Sequence, residues 1–200
     1  EHIAKLLRRK SKILVAFGSC ANEGCMPALA NLSPLQDIFD TVYNTISTDN
    51  PQKVVPQTVT MVPEGELTIP TMFPIVRTLD QVVDVDYRIP GCPPESHQIA
   101  AVIDLVIQVL QGNAQLPPAG TVIGAGASTV CDECTRKRDV KLIKKFDRIQ
   151  NVMLDSEICI LEQGVICSGP ATRSGCNALC PTAGAPCIGC YGPAEGVLDI

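Results

Sequence analysis

Two hydrophobic rhythms alternate along the first half of the chain. Ile13-Leu14-Val15-Ala16-Phe17 is a short unbroken apolar run ending in Gly18-Ser19-Cys20, the pattern of a buried parallel strand that runs out into a loop. Ser33-Pro34 then offers an N-cap with proline at the first helical position, and Leu35, Ile38, Phe39, Val42 and Ile46 recur at helical spacing. Residues 51–74, rich in proline, predict an irregular excursion. A second strand is expected over Val82-Val83-Asp84-Val85-Asp86-Tyr87, leading into the turn Pro90-Gly91-Cys92-Pro93-Pro94. Its helix should run from about Glu95 to Leu110, with Ile99, Val102, Ile103, Val106 and Leu110 on one face and Gly112 just past its end.

This order predicts an α/β fold, a flavodoxin-like doubly wound domain over residues 1–120. Ligands of such sheets bind outside the carboxyl ends of the strands. Cys20 and Cys92 each follow a predicted strand, so they can converge on one site despite their distance in sequence. After Pro117-Pro118-Ala119-Gly120 the character changes. A strand is expected at Thr121–Ile123 and a helix at Asp139–Ile149, but residues 121–200 otherwise read as short turns punctuated by Gly, Pro and Cys. A segment with so few large apolar residues cannot pack a core of its own, and bound metal can supply the missing folding energy. Residues 121–200 are therefore expected to form a loop-rich, cluster-binding domain.

Composition sharpens this. The chain has 200 residues, 46% of them hydrophobic, and a net charge of −5, which gives no general pull toward nucleic acid. No apolar run is long enough to span a bilayer and no cleavable secretory signal opens the chain, so a cytoplasmic protein is expected. Of 11 cysteines, only Cys20, Cys25 and Cys92 precede residue 131. A disulfide scaffold fits poorly with an odd count in a chain able to build a core. The crowded half reads Cys131-x2-Cys134, Cys159-x7-Cys167, Cys176-x3-Cys180-Pro181 and Cys187-x2-Cys190, two complete sets of four. Four thiolates suit either zinc or an iron-sulfur cluster, and spacing alone leaves both open.

Gly18-Ser19-Cys20-Ala21, Gly91-Cys92-Pro93-Pro94, Cys167-Ser168-Gly169-Pro170 running to Cys176, and Cys187-Ile188-Gly189-Cys190 stand here in the order found in another family. The chain resembles the small, electron-transferring subunits of nickel-iron hydrogenases, most closely the cytosolic F420-non-reducing branch linked to heterodisulfide reductase. The resemblance covers nearly the whole chain and implies three 4Fe-4S clusters. A distal cluster would take Cys131, Cys134, Cys159 and Cys167, with Cys131 standing where many uptake enzymes have histidine. A medial cluster would take Cys176, Cys180, Cys187 and Cys190; Cys180 is the thiol that uptake enzymes often lack. A proximal cluster would use Cys20 and Cys92, its other two ligands coming from a Cys-x2-Cys motif expected upstream of Glu1. Cys25 is expected to be a structural thiol.

The resemblance implies no catalytic residue in this chain. The paired Cys-x2-Cys motifs that hold nickel and iron are absent, so H2 would be split in a separate large subunit and electrons passed on to an iron-sulfur or flavin partner. Heterodisulfide reductase, coenzyme F420, NAD(P) and sulfur compounds are all served by similar small subunits. Two rivals are the single-cluster small subunit of quinone-reducing NADH dehydrogenase, which shares the Gly-Cys-Pro-Pro loop, and a zinc-stabilised binding module without redox activity.

Three further features stand out. Gly124-Ala125-Gly126-Ala127 lacks the third glycine of a dinucleotide fingerprint and reads as a turn. His97 follows the Cys92 loop and could tune a cluster, pair with a thiol, or simply serve a helix end. Arg136 to Arg148 holds seven basic residues against two acidic ones, either a solvated helix face or a docking surface for an acidic redox partner.

Overall fold

The computed structural model describes residues 1–139 and 142–197. In chain order its elements are α1 (His2–Lys10), β1 (Val15–Phe17), α2 (Ser19–Asn22), α3 (Cys25–Ala28), α4 (Leu35–Tyr43), β2 (Val59–Val62), β3 (Gly65–Thr68), β4 (Tyr87–Ile89), α5 (Ser96–Leu110), α6 (Val130–Glu133) and α7 (Leu179–Thr182), with single 3-10 turns at Leu29–Leu32 and Ile149–Asn151.

β1 and β4 pair in parallel with Ala16 opposite Arg88. A parallel bridge from Arg88 to Val122 continues this sheet at the position where the third strand is expected. Helices and a small parallel sheet together give the α/β class read from the sequence. Ala16, Tyr87 and Ile89 are buried in this sheet. The second strand begins later than the apolar pattern suggests. Asp86 accepts the Leu14 N–H at 2.6 Å and pairs with Arg8 at 2.6 Å, while the amides of Val82 and Val83 turn back to the Leu79 carbonyl. Those polar commitments keep residues 82–86 out of the ladder.

α5 matches its expected span. Glu95 and Gln98 form a reciprocal capping box at its start. Gln98 is almost fully buried. Its amide donates to the Pro90 carbonyl at 3.0 Å and its oxygen accepts the Tyr191 hydroxyl at 2.9 Å. One side chain thus ties the Cys92 turn to the segment after Cys190.

Residues group into two compact units, Glu1–Cys25 with Thr78–Ile200, and Met26–Arg77. In the second unit, α4 starts at Leu35 with Pro34 in the N-cap position rather than Ser33, and it stops at Tyr43, short of Ile46. The proline-rich excursion contains an antiparallel hairpin, Val62 opposite Gly65 across a two-residue turn. Asn31 closes the unit, donating to the Val76 carbonyl at 2.9 Å and accepting the Val76 N–H at 2.7 Å. No residue from Met26 to Arg77 is fully buried, and Leu32, Met61 and Phe73 are among many large apolar side chains left exposed there.

The helix expected over Asp139–Ile149 does not form among the described residues of that range; Val140 and Lys141 lie outside them. Isolated bridges stand in its place, Lys137 to Ile158 and Asp147 to Val165, and a 3-10 turn begins at Ile149. The Asp139 amide donates to the Glu162 carboxylate at 3.0 Å and the Asp147 amide to the Gly164 carbonyl at 2.7 Å. The Asp147 bond uses a donor that a helix needs, and these tertiary partners override the amphipathic pattern.

Candidate metal centres

The loops after β1 and β4 are joined by their backbones. Gly18 donates to the Ile89 carbonyl at 2.7 Å, Ser19 to the Gly91 carbonyl at 2.8 Å, and the Ser19 hydroxyl accepts the Gly91 N–H at 3.0 Å. Cys20 and Cys92 follow directly on these paired residues, both exposed. The sheet thereby brings two thiols far apart in sequence to neighbouring loops, as its parallel order requires. The Ser19 hydroxyl also donates to the Cys190 carbonyl, so the same loop touches the cysteine-rich half.

The eight later cysteines surround two adjoining recesses. Cys131, Cys134, Cys159 and Cys167 line the first, with Arg136 and Arg138. Cys176, Cys180, Cys187 and Cys190 line the second, where Cys92 and Glu95 join them. Val130 and Ala178 pack with Cys187 as a small buried core, against which Cys134, Cys167 and Cys176 rest. The left-handed backbone of Asn177 and Ala178 reverses the chain between Cys176 and Cys180. One bond runs between the recesses, from the Cys187 N–H to Cys167 Sγ at 3.3 Å, and within the second the Cys92 backbone hydrogen-bonds the Cys190 sulfur.

The donor set fits an anionic, thiolate-held group. Burial pushes the Cys131 thiol up to about 11, with the Cys167, Cys159 and Cys134 thiolates adding to the shift and Arg138 opposing it. Burial, then the Cys187 thiolate, pushes Cys190 up to about 12. Cys176 and Cys180 move the same way, chiefly through burial. Thiols raised in this way give up their protons beside other thiols only where bound metal replaces them. Gly169 leaves room for this: a Cβ there would stand 3.3 Å from Cys131 Sγ and 3.6 Å from Cys167 Sγ. Among the described residues, no three His, Cys, Asp or Glu side chains converge as a site for a single ion; the thiols share recesses rather than a point.

The three further features of the sequence find their places around these recesses, together with Glu133, which carried no signal. Arg136, expected on a solvated face or a docking surface, is only 7% exposed. Glu133, inside the Cys131-x2-Cys134 turn, accepts the Gly175 N–H at 2.8 Å through Oε1, while its buried Oε2 has no hydrogen-bond partner. His97 Nε2 lies 2.9 Å from the Gly175 carbonyl, which favours the helix-end role over pairing with a thiol. The Gly124–Ala127 segment is a turn whose glycines serve close packing: a Cβ on Gly124 would meet Gln98 Cγ at 2.4 Å, and one on Gly126 would overlap Ser174.

Glu23, three residues after Cys20, lies under the turn that follows Tyr191, against Gly192. Burial raises its carboxyl from the ordinary 4.5 to about 7, against the Asn22 hydrogen bond and Arg173, which lower it. The folded chain therefore binds a proton here that the unfolded chain has released between those values. The resulting stabilisation is complete below about pH 4.5 and is lost as pH rises through 7. Glu23→Gln is expected to flatten this part of the stability profile, as read by thermal unfolding from pH 4.5 to 8. An unchanged slope would exclude Glu23 as its source.

Residues 1–106 match the family described as "NADH ubiquinone oxidoreductase, 20 Kd subunit", and the chain belongs to that family. The match takes in the Cys20 and Cys92 loops and ends before Cys131. Beyond it, hydrogenase subunits extend the similarity. An F420-non-reducing hydrogenase iron-sulfur subunit of Archaeoglobus profundus is 42% identical over 100% of this chain and 62% of its own length. An F420-non-reducing hydrogenase vhu subunit of Methanocaldococcus jannaschii is 38% identical over the same shares. The delta subunit of sulfhydrogenase 2 from Pyrococcus furiosus is 27% identical over 94% of this chain and 57% of its own. The chain thus spans 62% of the length of the first two relatives. A subunit in the crystal structure of NAD+-reducing [NiFe]-hydrogenase in the H2-reduced state aligns at 29% identity over 58% of this chain and 60% of its own, with a TM-score of 0.44. Among the described residues no helix is long and apolar enough to cross a membrane.

Proposed function

We propose that this chain is the electron-relay subunit of a cytoplasmic nickel-iron hydrogenase, and that its cysteines hold three 4Fe-4S clusters between a catalytic large subunit and an electron-accepting partner. The functional division follows the sequence: residues 1–120 contribute Cys20 and Cys92 to the proximal site, and residues 121–200 contribute the other eight ligands. Cys176, Cys180, Cys187 and Cys190 would hold the medial cluster, and Cys131, Cys134, Cys159 and Cys167 the distal one. Two further proximal ligands would come from outside this sequence.

One observation carries this reading. The three thiol sets are consecutive, joined at Cys92 to Cys190 and at Cys187 to Cys167 by hydrogen bonds from backbone to sulfur. When bound, such clusters accept and release single electrons. The chain's own residues fix their spacing, donate hydrogen bonds to sulfur and exclude water, which together set the potential of each step. Hydrogenase relatives over the whole chain support H2 as the electron source. Heterodisulfide reductase is the partner favoured by resemblance to the F420-non-reducing branch. The apolar surface left open on Met26–Arg77 is suited to burial against another subunit.

Electrons would leave near the distal recess, beside the basic stretch. Lys137 is paired with Glu157 and Lys145 with Asp147, both at 2.7 Å, and Arg136 and Arg138 line the recess itself, which leaves Lys144 and Arg148, among the described residues, as the charges to reverse. In the complete complex, purified anaerobically through this chain, the double change to glutamate is expected to slow H2-dependent reduction of the partner about tenfold at low salt. H2-dependent reduction of a viologen dye should stay at the wild-type rate. Equal rates to both acceptors would remove the docking assignment, and a complex unable to reduce dye with H2 would overturn the proposed function itself.

A further inference from the structure

Arg136 is a buried cation held only by neutral partners. Its Nε donates to the Pro181 carbonyl at 2.7 Å, and one terminal nitrogen donates to the carbonyls of Asp155 at 2.6 Å and Ile158 at 2.9 Å. No carboxylate pairs with it among the described residues. A buried charge ordinarily has a counter-charge, because its desolvation is too costly to leave uncompensated. Arg136 instead lines the recess of Cys131, Cys134, Cys159 and Cys167, with the exposed Arg138 beside it. Its three bonds reach the residue after Cys180, the residue before Cys159, and a carbonyl three residues further back.

The second recess has the opposite sign. Glu95 lines it and, among the described residues, no lysine or arginine does. Glu133 and Glu95 both act electrostatically on its thiols, the first on Cys176 and the second on Cys180. An electron moving from the second recess to the first therefore moves from negative toward positive surroundings.

Building on the relay proposed above, we infer that the buried guanidinium of Arg136 is the counter-charge of the distal cluster and makes the medial-to-distal electron step downhill. Arg136 is a positioning and tuning residue. It exchanges no electron itself, and its charge favours the reduced, more negative state of the group held by the four nearest thiols. Its fork also holds the Cys159 loop to the Cys180 loop, which keeps the two recesses in register.

The test is an EPR-monitored redox titration of the complete anaerobic complex in wild-type, Arg136→Gln and Arg136→Lys forms, with iron counted in each. At the wild-type distal midpoint, Arg136→Gln should lower the ratio of reduced to oxidised distal cluster about tenfold, a shift of about 59 mV for one electron. The medial signal should move by less than half as much. Lysine keeps the charge but loses the fork, so Arg136→Lys should stay within about twofold of wild type. If glutamine prevents the distal cluster from assembling, the lysine variant decides by the same criterion. An unmoved distal midpoint, a shift shared equally by all clusters, or a lysine variant displaced as far as glutamine would each overturn the assignment. A wild-type complex without iron-sulfur signals would instead refute the relay itself, so the two failures are distinct.

Discussion

Exchange of Cys187 for serine is expected to remove one cluster, roughly four irons, from the complex and to cut H2-dependent reduction of the partner by at least about 100-fold. Cys187 is the most enclosed of the thiols, 8% exposed and packed on Val130 and Ala178. It serves both recesses: its sulfur lines the second, where it donates to Thr172 Oγ1 at 3.5 Å, and its amide donates to the Cys167 sulfur in the first. Serine offers a harder oxygen on a shorter bond, a poor exchange where iron is held by soft thiolates. The lost group is also lost folding energy for a segment with little core of its own. Cys25→Ser, outside both recesses, should leave iron content and rate unchanged. Iron analysis beside the partner assay checks the pair. Full iron and full rate in Cys187→Ser would remove the thiol from the ligand set.

Gly91→Ala is expected to destabilise the fold by roughly 3 kcal/mol or more. Gly91 has a φ of +128°, and a Cβ there would lie 2.5 Å from Pro94 Cα, 2.7 Å from Pro94 N and 2.8 Å from the Pro93 carbonyl oxygen. All three are backbone atoms of the turn that carries Cys92, so nothing flexible can yield. For a chain of this size the apparent Tm should fall by roughly 6 to 12 °C, and the proximal site should lose occupancy because its loop shifts. Gly112→Ala separates the two causes. Gly112 also has a positive φ, +77°, but nothing lies within 4 Å of its Cβ position, so only conformational strain of about 1 kcal/mol is expected. Thermal unfolding of the two variants reads the difference; equal shifts would mean that the crowding at Pro94 is relieved without cost.

What the sequence made legible was whatever depends on short range. The apolar run before Cys20, the periodicity of α5 and its end before Gly112 followed from local pattern, and the strand-to-loop order brought Cys20 and Cys92 to adjacent loops. The division of the later cysteines into two sets of four also followed from their spacing and from family resemblance, and each set lines one recess. The failures have a common cause. Residues 142–149 carry a helix-like pattern, yet Asp147 gives its amide to Gly164, a partner that no local window contains. The β2–β3 hairpin is hidden among prolines, where the alternation of Val59-Thr60-Met61 is too short to stand out. Arg136 was indistinguishable from six other basic neighbours. Its burial depends on the carbonyls of Asp155, Ile158 and Pro181, which lie 19, 22 and 45 residues further along the chain. Likewise Gln98 reads as one polar residue at a helix start. Its role in joining the Cys92 turn to Tyr191 exists only in three dimensions.

The spacing of the cysteines favours an iron-sulfur cluster but also admits zinc, and the relay requires clusters at all three sites. Iron, acid-labile sulfide and zinc should therefore be measured together on the anaerobically purified complex. About twelve irons and about twelve sulfides are expected for each copy of this subunit, beyond those of its partners, with no stoichiometric zinc. Zinc in stoichiometric amount without sulfide would contradict the relay.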